Sequence, residues 1–210
     1  MKRILIADDH PVVRLGLHSI LSRDPRFHVV GEAADPGQLE ELLANAPCDL
    51  VITDLSMPRG RRPDGVRMLA GLRRDYPELP LLVVTTFGNE EVMRAVLKLG
   101  VSGILEKTSG LPALIEAVDA ALRGGCYLPP ELAHRLRRRE KCGARLTARE
   151  SEVVRLLAHG LGVKEIADVH RRTVSTISRQ KGTAMKRLGL TSDFELMVYA
   201  RAVGLSPSGG

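Results

Sequence analysis

Five polar residues stand at the ends of short apolar runs in the first half of the chain. Asp8 and Asp9 follow Ile4-Leu5-Ile6-Ala7, and Asp54 follows Leu50-Val51-Ile52-Thr53. Thr85 follows Leu81-Leu82-Val83-Val84, and Lys107 lies just past Gly103-Ile104-Leu105. Three carboxylates brought together repel and resist full ionisation. Mg2+, a hard cation that takes carboxylate and phosphate oxygens, would resolve this, and a lysine ammonium adds a second counter-charge. Such a set suits transfer of a phosphoryl group to an aspartate, with Asp54 as the nucleophile. Singly, an Asp-Asp pair reads as a solvated turn and a lysine after a strand as surface.

The chemistry requires that these four run ends meet. Each apolar run reads as a buried strand, and helical spacing follows it: Pro11 with Val13, Leu17, Ile20 and Leu21, then Leu39, Leu42, Leu43 and Ala46 after a second strand from Phe27 to Gly31. Val66, Leu69 and Leu72 mark a helix from about Gly65, Val92, Val96 and Leu99 one closed by Gly100, and Leu111 to Leu122 one closed by Gly124-Gly125. Five strand-helix repeats predict a doubly wound parallel sheet, whose strand ends share one edge and form a ligand crevice.

The second half differs in charge. Residues 1–125 hold 15 Lys/Arg against 17 Asp/Glu, and residues 126–210 hold 16 against 8, which points to a polyanionic partner for the rear of the chain. Gly124-Gly125, Pro129-Pro130 and the basic run Arg135–Lys141 read as an exposed tether with a helical middle from Glu131 to Arg138. Thr147-Ala-Arg-Glu150 is a capping box opening a helix through Val153, Val154 and Leu157. A short helix at Lys164-Glu-Ile-Ala167 and a break at His170-Arg-Arg172 lead to Thr173, a good N-cap. The helix from Val174 to Leu188 turns Ile177, Ala184, Met185 and Leu188 inward and Ser175, Thr176, Ser178, Arg179 and Lys181 outward. Gly189 ends it, and Ser192-x-x-Glu195 opens the last helix. Two helices joined by a tight turn, the second polar outside, predict a helix-turn-helix. Cys48, Cys126 and Cys142 form neither a disulfide framework nor a zinc spacing. Asp8 comes too early for a signal-peptide core, and no uncharged stretch approaches membrane length, so a cytoplasmic protein is expected.

These residues resemble two known modules. Asp8-Asp9, Asp54, Thr85 and Lys107 are similar to the receiver domain of two-component response regulators. Leu146-Thr-Ala-Arg-Glu150, Lys164-Glu-Ile-Ala167, Thr176-Ile177 and Leu188-Gly189 resemble the LuxR/NarL-type DNA-binding domain. The resemblance implies a flavodoxin-like (βα)5 receiver with strand order 2-1-3-4-5 over residues 1–123, a linker over 124–142, and an all-α four-helix domain over 143–208. It implies phosphorylation of Asp54 by a histidine kinase or phosphotransfer protein. Mg2+ would be held by Asp8, Asp9, Asp54 and the Ser56 backbone carbonyl. Thr85, favoured over Thr86 by its interval to the lysine, would bond a phosphoryl oxygen, and Lys107 would pair with it. The helix from Val174 would enter the major groove, with Ser178, Arg179 and Gly182 near base edges and Lys164, Thr173, Thr176 and Lys181 on phosphates; Ser175 lies on the same face. Arg179 is the best direct reader, since guanidinium grips guanine through two bonds. Gly182 costs about 1 kcal/mol against alanine inside a helix; close approach to DNA and neutral drift both account for it.

Three features depart from the pattern. Ile104 stands where many receivers carry a rotating aromatic switch. The loop Pro58-Arg59-Gly60-Arg61-Arg62-Pro63-Asp64-Gly65 is long and carries three arginines, a solvated loop or a source of charge for a phosphoryl group. His170 falls where the family has a core leucine and reads as a partly buried structural histidine. The loop, Gly103-Ile104, Gln180 and Leu205-Ser-Pro207 resemble the Rcs-type capsule-synthesis branch, which implies homodimers and heterodimers with an auxiliary regulator. The expectation is a transcription factor, not an enzyme, binding double-stranded DNA and no membrane. Two alternatives stay open: an aspartate-nucleophile phosphohydrolase, disfavoured by Ser56 in place of a second acid, and a receiver acting through protein contacts alone.

Overall fold

In a computed structural model, residues 1–59, 61–86, 89–139 and 146–205 are described. Gly60, Cys142, the Glu140-Lys141 end of the basic run, the boundary near residue 143 and Ser206-Pro207 lie outside them. Five strands, β1 (Lys2–Ala7), β2 (Phe27–Ala33), β3 (Leu50–Thr53), β4 (Leu81–Thr85) and β5 (Gly103–Glu106), pair in parallel in the order β2-β1-β3-β4-β5. Between and after them run α1 (Pro11–Leu21), α2 (Pro36–Asn45), α3 (Gly65–Asp75), α4 (Glu90–Lys98) and α5 (Leu111–Leu122). Side chains alternate across the pleat. Ile4, Ile6, Leu50, Ile52, Leu82 and Val84 face α1 and α5, packing on Leu17, Leu21, Leu114 and Val118. Leu5, Ala7, Val51, Leu81, Val83 and Ile104 face the other way, on Leu39, Leu69, Val92 and Val96 of α2, α3 and α4.

Five more helices follow: α6 (Pro130–Arg139), α7 (Ala148–Ala158), α8 (Val163–Val169), α9 (Val174–Leu188) and α10 (Asp193–Ala202). The caps expected from sequence are present. Thr147 and Glu150 close a reciprocal box, as do Ser192 and Glu195, and the Thr173 hydroxyl accepts from the Thr176 amide. Gly189 ends α9 at φ 70°, a left-handed conformation glycine adopts freely. Val153, Ile166, Ala167 and Ile177 form a small core of their own.

The helix expected from Glu131 to Arg138 is present as α6, but it is not an exposed tether. Leu132 and Leu136, one turn apart on α6, are 2 % and 7 % exposed and pack toward α4, where the Arg94 guanidinium meets the Leu136 carbonyl. The basic residues dominated the reading of composition, while this i, i+4 apolar pair governs the packing. His170 is also corrected: it is exposed, and its backbone amide caps α8. The left-handed Arg171 (φ 49°) turns the chain there.

The rear helices do not stand apart. Val154, Ala184, Leu188, Leu190, Leu196, Ala200 and Ala202 belong to the same apolar cluster as Leu69, Met93 and Val96 of the receiver half. At Gly65 (φ 67°) an added Cβ would lie 2.7 Å from the Ala202 carbonyl oxygen, so both backbone conformation and close approach call for glycine. Beside it Arg201 Nε sits 3.0 Å from Asp64 Oδ2, and Arg201 Nη2 donates to the Pro58 carbonyl at 3.2 Å.

Candidate functional site

The strand register builds the pocket. Ala7 lies opposite both Ala33 and Thr53, so Asp8 and Asp54 emerge side by side where β1 and β3 stop. The Asp54 amide donates to the Ala7 carbonyl at 2.7 Å, and the Lys107 amide donates to the Thr85 carbonyl at 2.9 Å. Asp8, Asp9, Asp54 and Thr85 are all buried. Lys107 Nζ stands 2.7 Å from Asp8 Oδ2 and 2.7 Å from Asp54 Oδ2. Asp54 Oδ1 is buried and meets no donor among the described residues.

Burial pushes the Asp54 carboxyl above the usual carboxylate range, and Lys107 draws it back without cancelling the shift. Burial alone would lower the Lys107 ammonium, but its two carboxylate partners outweigh this and hold it raised. Asp8, Asp9, His10 and Asp54 each offer a ligand atom, all within 4.8 Å of one another. The three carboxylates of that group fit a hard divalent cation, which takes oxygen ligands. His10 was not anticipated: its amide donates to Asp8 Oδ1 at 2.9 Å, and its Nδ1 lies 2.7 Å from Asp9 Oδ1.

Ser56 is half-buried and lines the pocket beside Asp54 and Thr85. Ile104 does not join them. It is fully buried in β5 opposite Val83, with its amide donating to the Tyr127 carbonyl at 3.0 Å. Of the loop arginines, Arg62 is directed at Glu40, 3.2 Å away.

The pocket has a roof that sequence reading missed. Asp9, Asp54, Ser56, Thr85 and Asn89 share a cavity of about 710 Å3 with Gly189, Leu190, Phe194 and Val198 from the α9–α10 turn and α10. Phe194 is 77 % exposed, an unusual placement for a large aromatic residue. Its position in the first turn of α10, two residues after the N-cap Ser192, was the one available signal.

The second candidate surface is α9 and the turn before it. Lys164, Thr173, Ser175, Ser178, Arg179 and Gly182 are exposed, while Thr176 is half-buried. Lys181 is engaged within its own domain, with Nζ 2.5 Å from Asp193 Oδ2. A Cβ at Gly182 would meet nothing within 4 Å, so no contact within the chain requires glycine there. Among the described residues no helix is long and apolar enough to cross a membrane.

Comparison with known proteins agrees with this division. Residues 4–119 match the response regulator receiver domain family, and residues 144–200 match the bacterial regulatory proteins of the luxR family. The transcriptional regulatory protein RcsB of Salmonella typhi is 39 % identical over 209 residues, covering 98 % of this chain and 96 % of that protein. RcsB from Salmonella enterica serovar Typhimurium, solved on promoter P1flhDC with the phosphomimetic BeF3-, superposes with a TM-score of 0.83 at 36 % identity, covering 96 % of this chain and 98 % of the other. A structure of two RcsB dimers on two parallel DNAs gives 0.79 at 37 % identity, with the same coverage.

Proposed function

The chain belongs to the two-component response regulators with a LuxR-type output domain, and on that premise we propose that phosphorylation of Asp54 governs DNA binding through α9. The observation that carries the first half is the buried Asp54 carboxylate beside Lys107, whose Oδ1 meets no hydrogen-bond donor among the described residues. In the transfer, this oxygen attacks the phosphorus of a phosphohistidine on a kinase or phosphotransfer protein. The P–N bond breaks, its electron pair stays with the imidazole, and an acyl phosphate remains on Asp54. Lys107 supplies positive charge where the phosphoryl oxygens arrive, and the Thr85 hydroxyl supplies a donor. Asp8, Asp9, Asp54 and the Ser56 carbonyl would hold Mg2+, whose chemistry is to neutralise phosphoryl charge. Ser56 carries no carboxyl to protonate a leaving group, which supports a phosphoacceptor over a phosphohydrolase.

For the output half, the exposed start of α9 supports entry into the major groove of double-stranded DNA. Arg179 reads a base edge, Ser175, Ser178 and Gly182 lie against the duplex, and Lys164, Thr173 and Thr176 sit on phosphates. Lys181 must leave Asp193 to add a phosphate contact. The domain limits 1–123, 124–142 and 143–208 belong to this reading, as does a cytoplasmic location. Relatives solved as dimers on DNA support a homodimer here, with a heterodimer partnered by an auxiliary regulator as the variant form. The test is acyl-phosphate labelling by a phosphohistidine donor with Mg2+. Parent chain takes up label and Asp54→Ala takes up none; label retained in the variant places the acceptor elsewhere.

A further inference from the structure

One side chain joins the pocket to the DNA-reading helix. Asn89 is the N-cap of α4, and its Oδ1 accepts from the Glu91 amide at 3.1 Å and the Val92 amide at 3.3 Å. Only the oxygen can accept from two amides, which fixes the orientation of the group. Its Nδ2 therefore points away from α4, and it donates to the carbonyl of Leu188 at 3.0 Å. Leu188 is the last residue of α9, and a carbonyl in the last turn of a helix has no acceptor role inside that helix. Asn89 fills it from the other half of the molecule.

The position of this residue gives the contact its meaning. Asn89 follows Thr85 by four positions in the chain, and both line the same cavity as Asp54. At the far end of its bond, α9 runs as one uninterrupted helix of 15 residues back to Ser175, Ser178 and Arg179. A phosphoryl group arriving in that cavity meets, in Asn89, the amide that holds the C-terminus of α9. Leu190, two residues beyond that end, and Phe194 of α10 line the same cavity. Coupling between two sites needs an element whose arrangement both sites bias, and this junction meets that condition.

We propose that Asn89 is the positioning residue through which the phosphorylation state of Asp54 reaches the recognition helix α9. The inference rests on the proposed function above and adds the route to it.

Two substitutions separate this role from simple capping. Asn89→Asp keeps a cap oxygen for Glu91 and Val92 but removes the donor and sets a carboxylate against the Leu188 carbonyl. Asn89→Ala removes both. The full chain with Mg2+ is titrated onto a selected duplex with and without beryllofluoride, and the ratio of the two Kd values is read. For the parent a ratio of about 5 to 150 is expected, the usual span of allosteric coupling. Both variants should bring it to within about twofold of unity, while both still take label at Asp54. A parent-like ratio in Asn89→Asp beside a collapsed one in Asn89→Ala would mean that the residue only caps α4, and would overturn the proposal. A parent-like ratio in both variants would overturn it as well. Failure of the underlying function looks different: the parent itself would take no label, or beryllofluoride would leave its DNA affinity unchanged.

Discussion

Asp8, Asp9 and Asp54 are at most 7 % exposed, with Asp8 and Asp54 flanking one ammonium, whereas Ser175, Ser178 and Arg179 face open solvent along one side of a helix. The pocket concentrates charge where water is scarce, so each of its groups is worth several times what it would be on the surface. The reading helix keeps its polar groups hydrated and available, because a duplex is bound by displacing counterions and by matching base edges. A covalent step needs a few groups fixed in a low dielectric. Recognition of a long polyanion needs many that are open and additive. The contrast also explains Lys107 and Lys181, both lysines in ion pairs. Lys107 is locked between two buried carboxylates, while the partner of Lys181, Asp193, is exposed and exchangeable.

Four experiments press on that contrast. The largest effect is all or none: Asp54→Ala should abolish labelling and leave unphosphorylated DNA binding in place, and joint loss of both would show that the two regions are not separable. Next, DNA affinity should fall about 10^3- to 10^5-fold between about 50 and 200 mM salt if some six to ten phosphates are contacted, while labelling changes little. A flat response would remove the duplex from the account. Third, Lys107→Ala should cost about 3–5 kcal/mol in urea unfolding, because it strands buried carboxylates, whereas Lys164→Ala should stay within about 0.5 kcal/mol. Equal effects would erase the distinction between the two kinds of lysine. The smallest is Arg179→Ala, expected to cost about 1–3 kcal/mol on the specific duplex and to relax preference at one base pair. A footprint identical to the parent's would take Arg179 off the list of readers.

The pocket was readable in the sequence because topology places it. Asp8, Asp54, Thr85 and Lys107 each end or follow an apolar run, and parallel pairing leaves those ends no other edge to occupy. The capping boxes at Thr147 and Ser192 were readable for a similar reason: their partners lie three residues away. What was missed depends on contacts between distant segments. Leu190 looks like a loop residue between Gly189 and Ser192, and nothing local says that it lines the same cavity as Asp54. Asn89 announces a helix start, but its bond to Leu188 spans 99 positions. Leu136 seemed isolated in a basic run until Leu132 joined it on one face of α6. His170 illustrates the reverse error, in which family position suggested a core that the fold does not extend to that side chain.

The apolar cluster common to both halves bears on how the protein comes apart. Leu69, Met93 and Val96 on one side and Leu188, Leu196 and Ala200 on the other exclude water together. Heating should therefore give a single calorimetric peak for the intact polypeptide in place of two. A chain severed between the halves would expose a greasy scar on each fragment, and the fragments should precipitate more readily than the parent.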